Sequence, residues 1–330
     1  MTRTNKNKGH AMLLKKLAIS LLLSMIMLLQ GCSTLGMNSV TQQEMNQKYA
    51  DQTTGSRFIE IDGLQVHYRD QGEGPVLLLL HGILDSLHTW DKWIEEFGEG
   101  YRIVRLDYPG FGLTGGWQDG EYSKERWLAF FDQFLNKIGI DQPIHVVGNS
   151  LGGGFAWQLA VARPERVKTI VMIDPAGYAV DGTPWPVTLA STPLIGSVMR
   201  YSTPPFIFRQ GVKQVFGNPD NINPADVERF VDLSTLQGNR SAYVDVFRYL
   251  TKMLEEREAM LKQIPNIQVP VQLQWGEKDP WFPADIETAM WKKDLPYIDL
   301  VIFEGVGHMP QLEVPKKSAQ AAMGFIEKND

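Results

Sequence analysis

The chain predicts an α/β architecture: a mostly parallel central sheet, helices on both faces, and a helical cap inserted late. Three observations carry this. Continuous apolar runs such as "PVLLLL", "IHVV" and "KTIVMI" have no polar face, as expected of parallel strands buried on both sides. They alternate with segments of helical spacing, the signature of β-α units. Between Tyr178 and Ile264 the strand rhythm stops and Pro-bearing, then helical, sequence takes over. The composition allows such a fold. The chain has 330 residues, 43% hydrophobic and 10% aromatic, enough for one large domain with a sizeable core.

Taken in order, the first element is an address. Residues 1–31 open with basic residues and continue with a 13-residue apolar run, Leu17 to Leu29. The run is short for a span, which needs about 20 residues, and fits the core of a signal peptide starting at Met1 or Met12. "LQGC", ending at Cys32, resembles the bacterial lipobox, with Gln30 where a small residue is usual. The resemblance implies removal of residues 1–31, acylation of Cys32 and a membrane-anchored exported protein. Ser33 resembles the outer-membrane-sorted class. Cys32 is also the only cysteine, so neither an intramolecular disulfide nor a Cys-based zinc framework is available. Residues 32–56 are polar and aperiodic and are expected to be a tether.

The folded body starts at Arg57. "RFIEIDGLQVHYRDQG" is an alternating pair of runs broken by Asp62-Gly63, a hairpin signal. "PVLLLLHG" and "YRIVRLDYPGFG" are strands ending in loops. "KERWLAFFDQFLNKIGI" places Trp127, Leu128, Phe131, Phe134, Leu135 and Ile138 on one helical stripe. "IHVVGNS" is a strand running into the helical "LGGGFAWQLAVARPERV", and "VKTIVMIDPAG" is a further strand. Residues 57–177 thus form the first part of the core, 178–264 the cap, and 265–330 the second part, with strands in "VPVQLQWGEKDP" and "YIDLVIFEGVGHMP" and a closing helix. Without its first 31 residues the chain holds 27 basic and 38 acidic residues, about −11, which excludes nucleic acid as a natural partner.

The chemistry gathers at strand ends. Gly148-Asn149-Ser150-Leu151-Gly152 lies between a strand and a helix, the context of a nucleophile elbow, where the small neighbours Gly148 and Gly152 permit a sharp turn that lifts a Ser hydroxyl above the sheet. An alcohol needs a base and a group to orient that base. His308, after the last strand, and Asp279, after the strand before it, fill these roles in the order Ser, Asp, His. Asp174, at another strand end, is the alternative acid. Glu277 and Asp285 are expected to be solvated. His67 and His145 fall in strand patterns and suit structural roles, and His88 suits a surface position. The oxyanion hole draws on the amides of Leu151 and, from the "HGILDS" loop, Ile83. His81 and Gly82 shape that loop.

"HGILDS", "DYPGFGLT", "GNSLGG", "WGEKDP" and "GVGHMP" together resemble the α/β-hydrolase superfamily over residues 57–330. "GNSLGG" and the cap are similar to membrane-anchored bacterial lipases and esterases and to carbon–carbon bond hydrolases of aromatic degradation. Ser150 argues against the dehalogenases and epoxide hydrolases, which attack through a carboxylate. Leu151 departs from the Trp usual after the nucleophile in proline iminopeptidases. The resemblance implies a serine hydrolase of carboxylic esters, with a small-molecule or lipid ester as substrate and no metal or organic cofactor. A carbon–carbon bond hydrolase and a non-catalytic binding scaffold are the alternatives. Trp185, Leu189, Leu194, Ile195, Met199, Phe206 and Phe208 make the cap apolar enough for an acyl or aromatic pocket, and Trp281 and Met309 flank the acid and the base.

Overall fold

The computed structural model describes residues 40–97, 100–178 and 185–330. The signal peptide and Cys32 expected from the sequence lie outside these residues. Eight strands form one sheet in the order β1-β2-β4-β3-β5-β6-β7-β8: β1 (Ser56–Ile61), β2 (Leu64–Gln71), β3 (Val76–Leu80), β4 (Arg102–Leu106), β5 (Ile144–Asn149), β6 (Val167–Ile173), β7 (Val271–Gly276) and β8 (Asp299–Phe303). β1 and β2 are antiparallel, joined at Asp62 and Gly63, both at positive φ (48° and 76°), as a tight hairpin turn demands. β2 runs antiparallel to β4, and from β4 to β8 every pairing is parallel.

The reason the strands read as unbroken apolar runs is that each feeds two cores. Leu78 and Leu80 of β3 pack into the larger one, while Leu77 and Leu79 point into the smaller. Val146 and Val147 of β5 divide the same way, and so do Ile170 and Val171 of β6. This is the period-two geometry of a strand covered on both faces.

The helices are α1 (Gln42–Tyr49), α2 (Asp91–Ile94), α3 (Lys124–Lys137), α4 (Leu151–Ala162), α5 (Trp185–Ser191), α6 (Pro193–Met199), α7 (Pro205–Gln214), α8 (Pro224–Thr235), α9 (Asn239–Glu255), α10 (Arg257–Leu261), α11 (Ala284–Asp294), α12 (Pro310–Glu313) and α13 (Pro315–Asn329). Those from α5 to α10 form the insertion between β6 and β7. α3 buries its predicted stripe beneath an aromatic cluster. Trp127 is fully buried, donates its indole N–H to the Pro109 carbonyl at 3.1 Å, and lies against Phe155 and Tyr249. Trp127→Ala leaves a cavity and an unpaired carbonyl together, so it is expected to cost about 3–5 kcal/mol, read as a lowered urea midpoint at unchanged slope.

One expectation is corrected. The tether expected over 32–56 is ordered from Val40. Thr41 and Glu44 form a capping box at the start of α1, Met45 is buried with Leu113, Leu233 and Leu236, and Lys48 and Tyr49 bind Asp232. Val40 itself bridges to Leu236. A mostly polar helix with one buried Met has too weak an apolar pattern to be seen in sequence; tertiary contacts fix it.

Candidate active site

Ser150 stands between β5 and α4 at φ 53° and ψ −117°, a backbone conformation an L-residue adopts only under constraint. The constraint is visible. Ser150 N–H donates to the Ile173 carbonyl at 2.9 Å, and its carbonyl accepts from Gly154 and Ala176. The flanking glycines are there for contact: a Cβ on Gly152 would lie 2.2 Å from the Leu80 carbonyl, and one on Gly148 2.2 Å from the Gly152 carbonyl. β5 and β3 are adjacent, with β4 on the far side of β3, so the turn sits where the strand order reverses, the usual location of sites in open parallel sheets.

The loop after β3 closes on the same point. A Cβ on Gly82 would come within 3.0 Å of Asn149 Oδ1 and 3.3 Å of Ser150 Cβ, so a side chain here would press on the nucleophile turn. His81 donates Nδ1–H to the Gly82 carbonyl at 2.7 Å and stacks on Tyr108, whose hydroxyl donates back to the His81 carbonyl. Burial pushes the His81 imidazole down to about 4, so it is neutral and shapes the loop. Ile83 follows in this loop and lines the cleft. The Leu151 amide opens α4 and so has no intrahelical acceptor.

His308 and Asp279 arrive from the loops after β8 and β7. His308 Nδ1 bonds Asp279 Oδ2 at 2.6 Å. Asp279 Oδ1 accepts the amides of Trp281 and Phe282, at 2.8 and 3.1 Å, so both carboxylate oxygens are engaged. Trp281 and Phe282 pack on the His308 ring. His308 Nε2 is buried without a hydrogen-bond partner and shares one cleft with Ser150. Asp174 lies beside this pair: its carboxyl, Asp279 and His308 offer polar atoms all within 4.8 Å. Asp174 Oδ1 accepts the Gly276 amide. Burial first, and the Asp279 charge second, push the Asp174 carboxyl well above its ordinary value, and the His308 ring bonds the other acid, Asp279. Among the described residues this is the one convergence of metal-type ligand atoms. Within it Asp279 Oδ2 and His308 Nδ1 share one hydrogen bond, and Asp174 Oδ1 is taken by the Gly276 amide.

Other expected residues fall elsewhere. Glu277 and Asp285 are exposed. His67 is buried between Asp107 and Ser56, and His145 binds Thr169. His88, expected at the surface, is buried: its ring bonds the Tyr49 carbonyl, a contact that depends on the unforeseen α1. Of the cap residues, Leu189, Met199 and Phe208 line the cleft, but Leu194, Ile195 and Phe206 face outward, and the Trp185 side chain is outside the described ones. A helix in a cap has two apolar destinations, and spacing alone does not separate them.

Sequence reasoning missed four participants. Asn149 Nδ2 donates to the His308 and Ile173 carbonyls, each at 3.1 Å, tying the Ser loop to the His loop. Its place inside "GNS" was the available signal. The cap also holds the His loop directly: His308 N–H donates to the Val215 carbonyl at 2.7 Å, and Glu313 accepts the amides of Gly307 and, from the cap, Gly217. Finally, Asp85 is buried and accepts the Ser86 amide, and burial pushes its carboxyl up to about 7 against the pull of Arg229 in α8. A carboxyl raised in the fold adds stability that is full below its unfolded pKa of about 4 and is lost as pH rises through about 7. Asp85→Asn is therefore expected to flatten the fall in urea midpoint between pH 4 and pH 7 relative to the parent chain.

The cleft holds about 820 Å³ of empty space, its open mouth included. Its wall is mainly apolar, with Leu189, Met199, Ile207, Phe208, Val212 and Phe247 around Ser150 and His308, and among the described residues no Lys or Arg contributes to it.

The sheet order, the strained Ser turn and the acid-held His together make the α/β-hydrolase fold. Residues 75–196 match the α/β hydrolase fold family. Lipase 3 of Moraxella sp. (strain TA144) is 25% identical over 95% of this chain and 98% of its own. The 2-hydroxy-6-oxo-6-(2'-aminophenyl)hexa-2,4-dienoic acid hydrolase of Metapseudomonas resinovorans is 25% identical over 82% of this chain and 91% of its own. In structure, the Cif epoxide hydrolase from Acinetobacter nosocomialis shares the fold with a TM-score of 0.74 at 19% identity, covering 88% of this chain and 98% of that one. Its relatives thus include lipases and carbon–carbon bond hydrolases.

Proposed function

We propose that this chain is a serine hydrolase of carboxylic esters with an apolar acyl or alcohol group. Ser150 is the nucleophile, His308 the general base, Asp279 the group that orients it, and the amides of Ile83 and Leu151 the oxyanion hole. The Ser150 oxygen attacks the ester carbonyl as its proton passes to His308 Nε2. The tetrahedral oxyanion is held by the two amides and collapses to an acyl-enzyme as His308 protonates the leaving alcohol. Water, deprotonated by the same nitrogen, then releases the acid.

The observation that carries the ester reading over the carbon–carbon one is the wall of the cleft. The Metapseudomonas relative acts on a dienoic acid, whereas the described residues of this cleft present apolar side chains around Ser150 and no Lys or Arg to meet a carboxylate. The intact Ser, His and Asp set speaks against a binding scaffold. We also propose that the chain is exported and anchored through acylated Cys32, for which the N-terminal pattern is the support.

The test is hydrolysis of p-nitrophenyl esters from acetate to palmitate by the full chain, with His308→Ala as control. Turnover lost in the variant supports the reading, and the preferred chain length separates esterase from lipase. A folded chain that hydrolyses none of the series sinks it, and turnover of a dienoic acid instead would install the carbon–carbon reading.

A further inference from the structure

The apolar residues that the cap turns outward are not scattered. Of the nine large hydrophobic side chains exposed on the described residues, Leu194, Ile195, Val198, Tyr201 and Phe206 fall within α6, the turn after it and the start of α7. Leu194 and Val198 are one helical turn apart, and Leu194, Val198, Tyr201 and Phe206 are 57–78% exposed. Single exposed hydrophobes are ordinary, but a contiguous set marks a contact surface. The opposite sides of these same helices, at Met199, Ile207 and Phe208, line the cleft. Residues 185–215 carry Arg200, Arg209 and Lys213 and no acidic residue, in a body that is otherwise strongly acidic. Arg200 and Arg209 are paired with Asp245 and Glu228, and Lys213 is exposed.

The geometry points to a lipid bilayer as the occupant: we infer that the outer face of α6 and α7 docks on a membrane and presents the cleft to it. The choice rests on where the N-terminal sequence joins the fold. Val40 pairs with Leu236 at the end of cap helix α8, against which α7 packs. Ten residues lie between Leu29, the end of the apolar run, and Val40, and fully extended the eleven Cα steps reach at most about 40 Å. An acyl group on Cys32, eight Cα steps from Val40, is therefore held within about 30 Å of the cap. There the apolar face enters the headgroup boundary, to about 5–10 Å as amphipathic surface helices do, and the exposed Lys213 of α7 is the cation offered to anionic lipid. The inference rests on a lipid-bound N-terminus and not on the ester reading.

The test uses the full chain reconstituted into phosphatidylethanolamine–phosphatidylglycerol vesicles. Val198→Cys and Glu165→Cys are each labelled with the fluorophore NBD, with the parent chain as labelling blank. Glu165 is exposed just before the N-terminal end of β6, the end of the strand opposite the one that leads into the cap. Expected is a blue-shifted emission at position 198 that brominated acyl chains reduce about twofold, with neither effect at position 165. Equal behaviour at both positions overturns the inference. So does a blue shift at 198 that brominated lipid leaves intact, because a second copy or the chain's own N-terminal segment then covers the face. In a second arm, Leu194→Ser, Val198→Ser and Phe206→Ser are combined. Turnover of a water-soluble butyrate ester should be unchanged while kcat/KM for an ester carried in vesicles falls about tenfold. No change on either substrate counts against docking. A chain that hydrolyses neither ester fails the ester reading, and the fluorescence arm then decides the docking alone.

Discussion

Ser150→Ala is expected to lower kcat on the best p-nitrophenyl ester by about 10⁵–10⁶-fold, leaving only what the amides and the cleft supply. The size follows from the way nucleophile, base and acid act as one unit, so removal of the first member forfeits the work of the others. The fold should survive, because the turn is held by backbone: the Ser150 amide and carbonyl bonds to Ile173, Gly154 and Ala176 do not involve the hydroxyl. The same turn gives a companion result. A φ of 53° with ψ −117° is strained for any residue with a Cβ, so Ser150→Gly should be as inactive yet more stable, by about 1 kcal/mol after the entropy that glycine costs. Near-UV circular dichroism and urea titration check both. An inactive Ser150→Ala chain that has lost its fold, or a fully active one, would remove Ser150 from the role assigned to it.

Asp279→Asn is the second large effect, expected at about 10⁴-fold in kcat with little change in KM. An amide in that place presents an N–H to His308 Nδ1 and turns the ring to the tautomer that cannot take the Ser150 proton. Asp174→Asn, only one strand away, should behave in the opposite manner. Asn is the isostere of the protonated carboxyl and keeps the bond from the Gly276 amide, so activity at pH 7 should stay within about an order of magnitude. Its signature lies in stability. The raised Asp174 carboxyl stabilises the fold while protonated and loses that share as pH climbs through its folded value. The Asn variant should keep its urea midpoint further into alkaline pH than the parent. Equal losses of activity from the two substitutions would mean that the acid is shared between them.

The parts of the site that were legible in the sequence are those set by chain punctuation. Ser150, Asp279 and His308 each follow an apolar run, and the parallel sheet brings all such ends to one edge, so one dimension was enough. The glycines around Ser150 were equally readable, since each is demanded by a backbone contact. The unread parts depend on packing between distant segments. The capping box of α1 was present in "TQQE", but its reason to fold is Met45 resting on Leu233 and Leu236, far along the chain. His88 became a buried residue through the same helix. Glu313 has no motif of its own, and only the folded chain shows its carboxylate spanning two loops. In the cap, the apolar residues were identified but their direction was not, because short Pro-started helices are too brief for periodicity to define a face.

The bond from the His308 amide to the Val215 carbonyl, with Glu313 clasping Gly307 and Gly217 beside it, has a kinetic meaning. The cap is sewn to the base's own loop, so a cap that swung away as one body would carry the imidazole out of register with Ser150. Admission of substrate by such a swing would therefore disassemble the site it serves. Entry that leaves the seam intact keeps the imidazole aligned, which separates the step that lets substrate in from the step that cuts it.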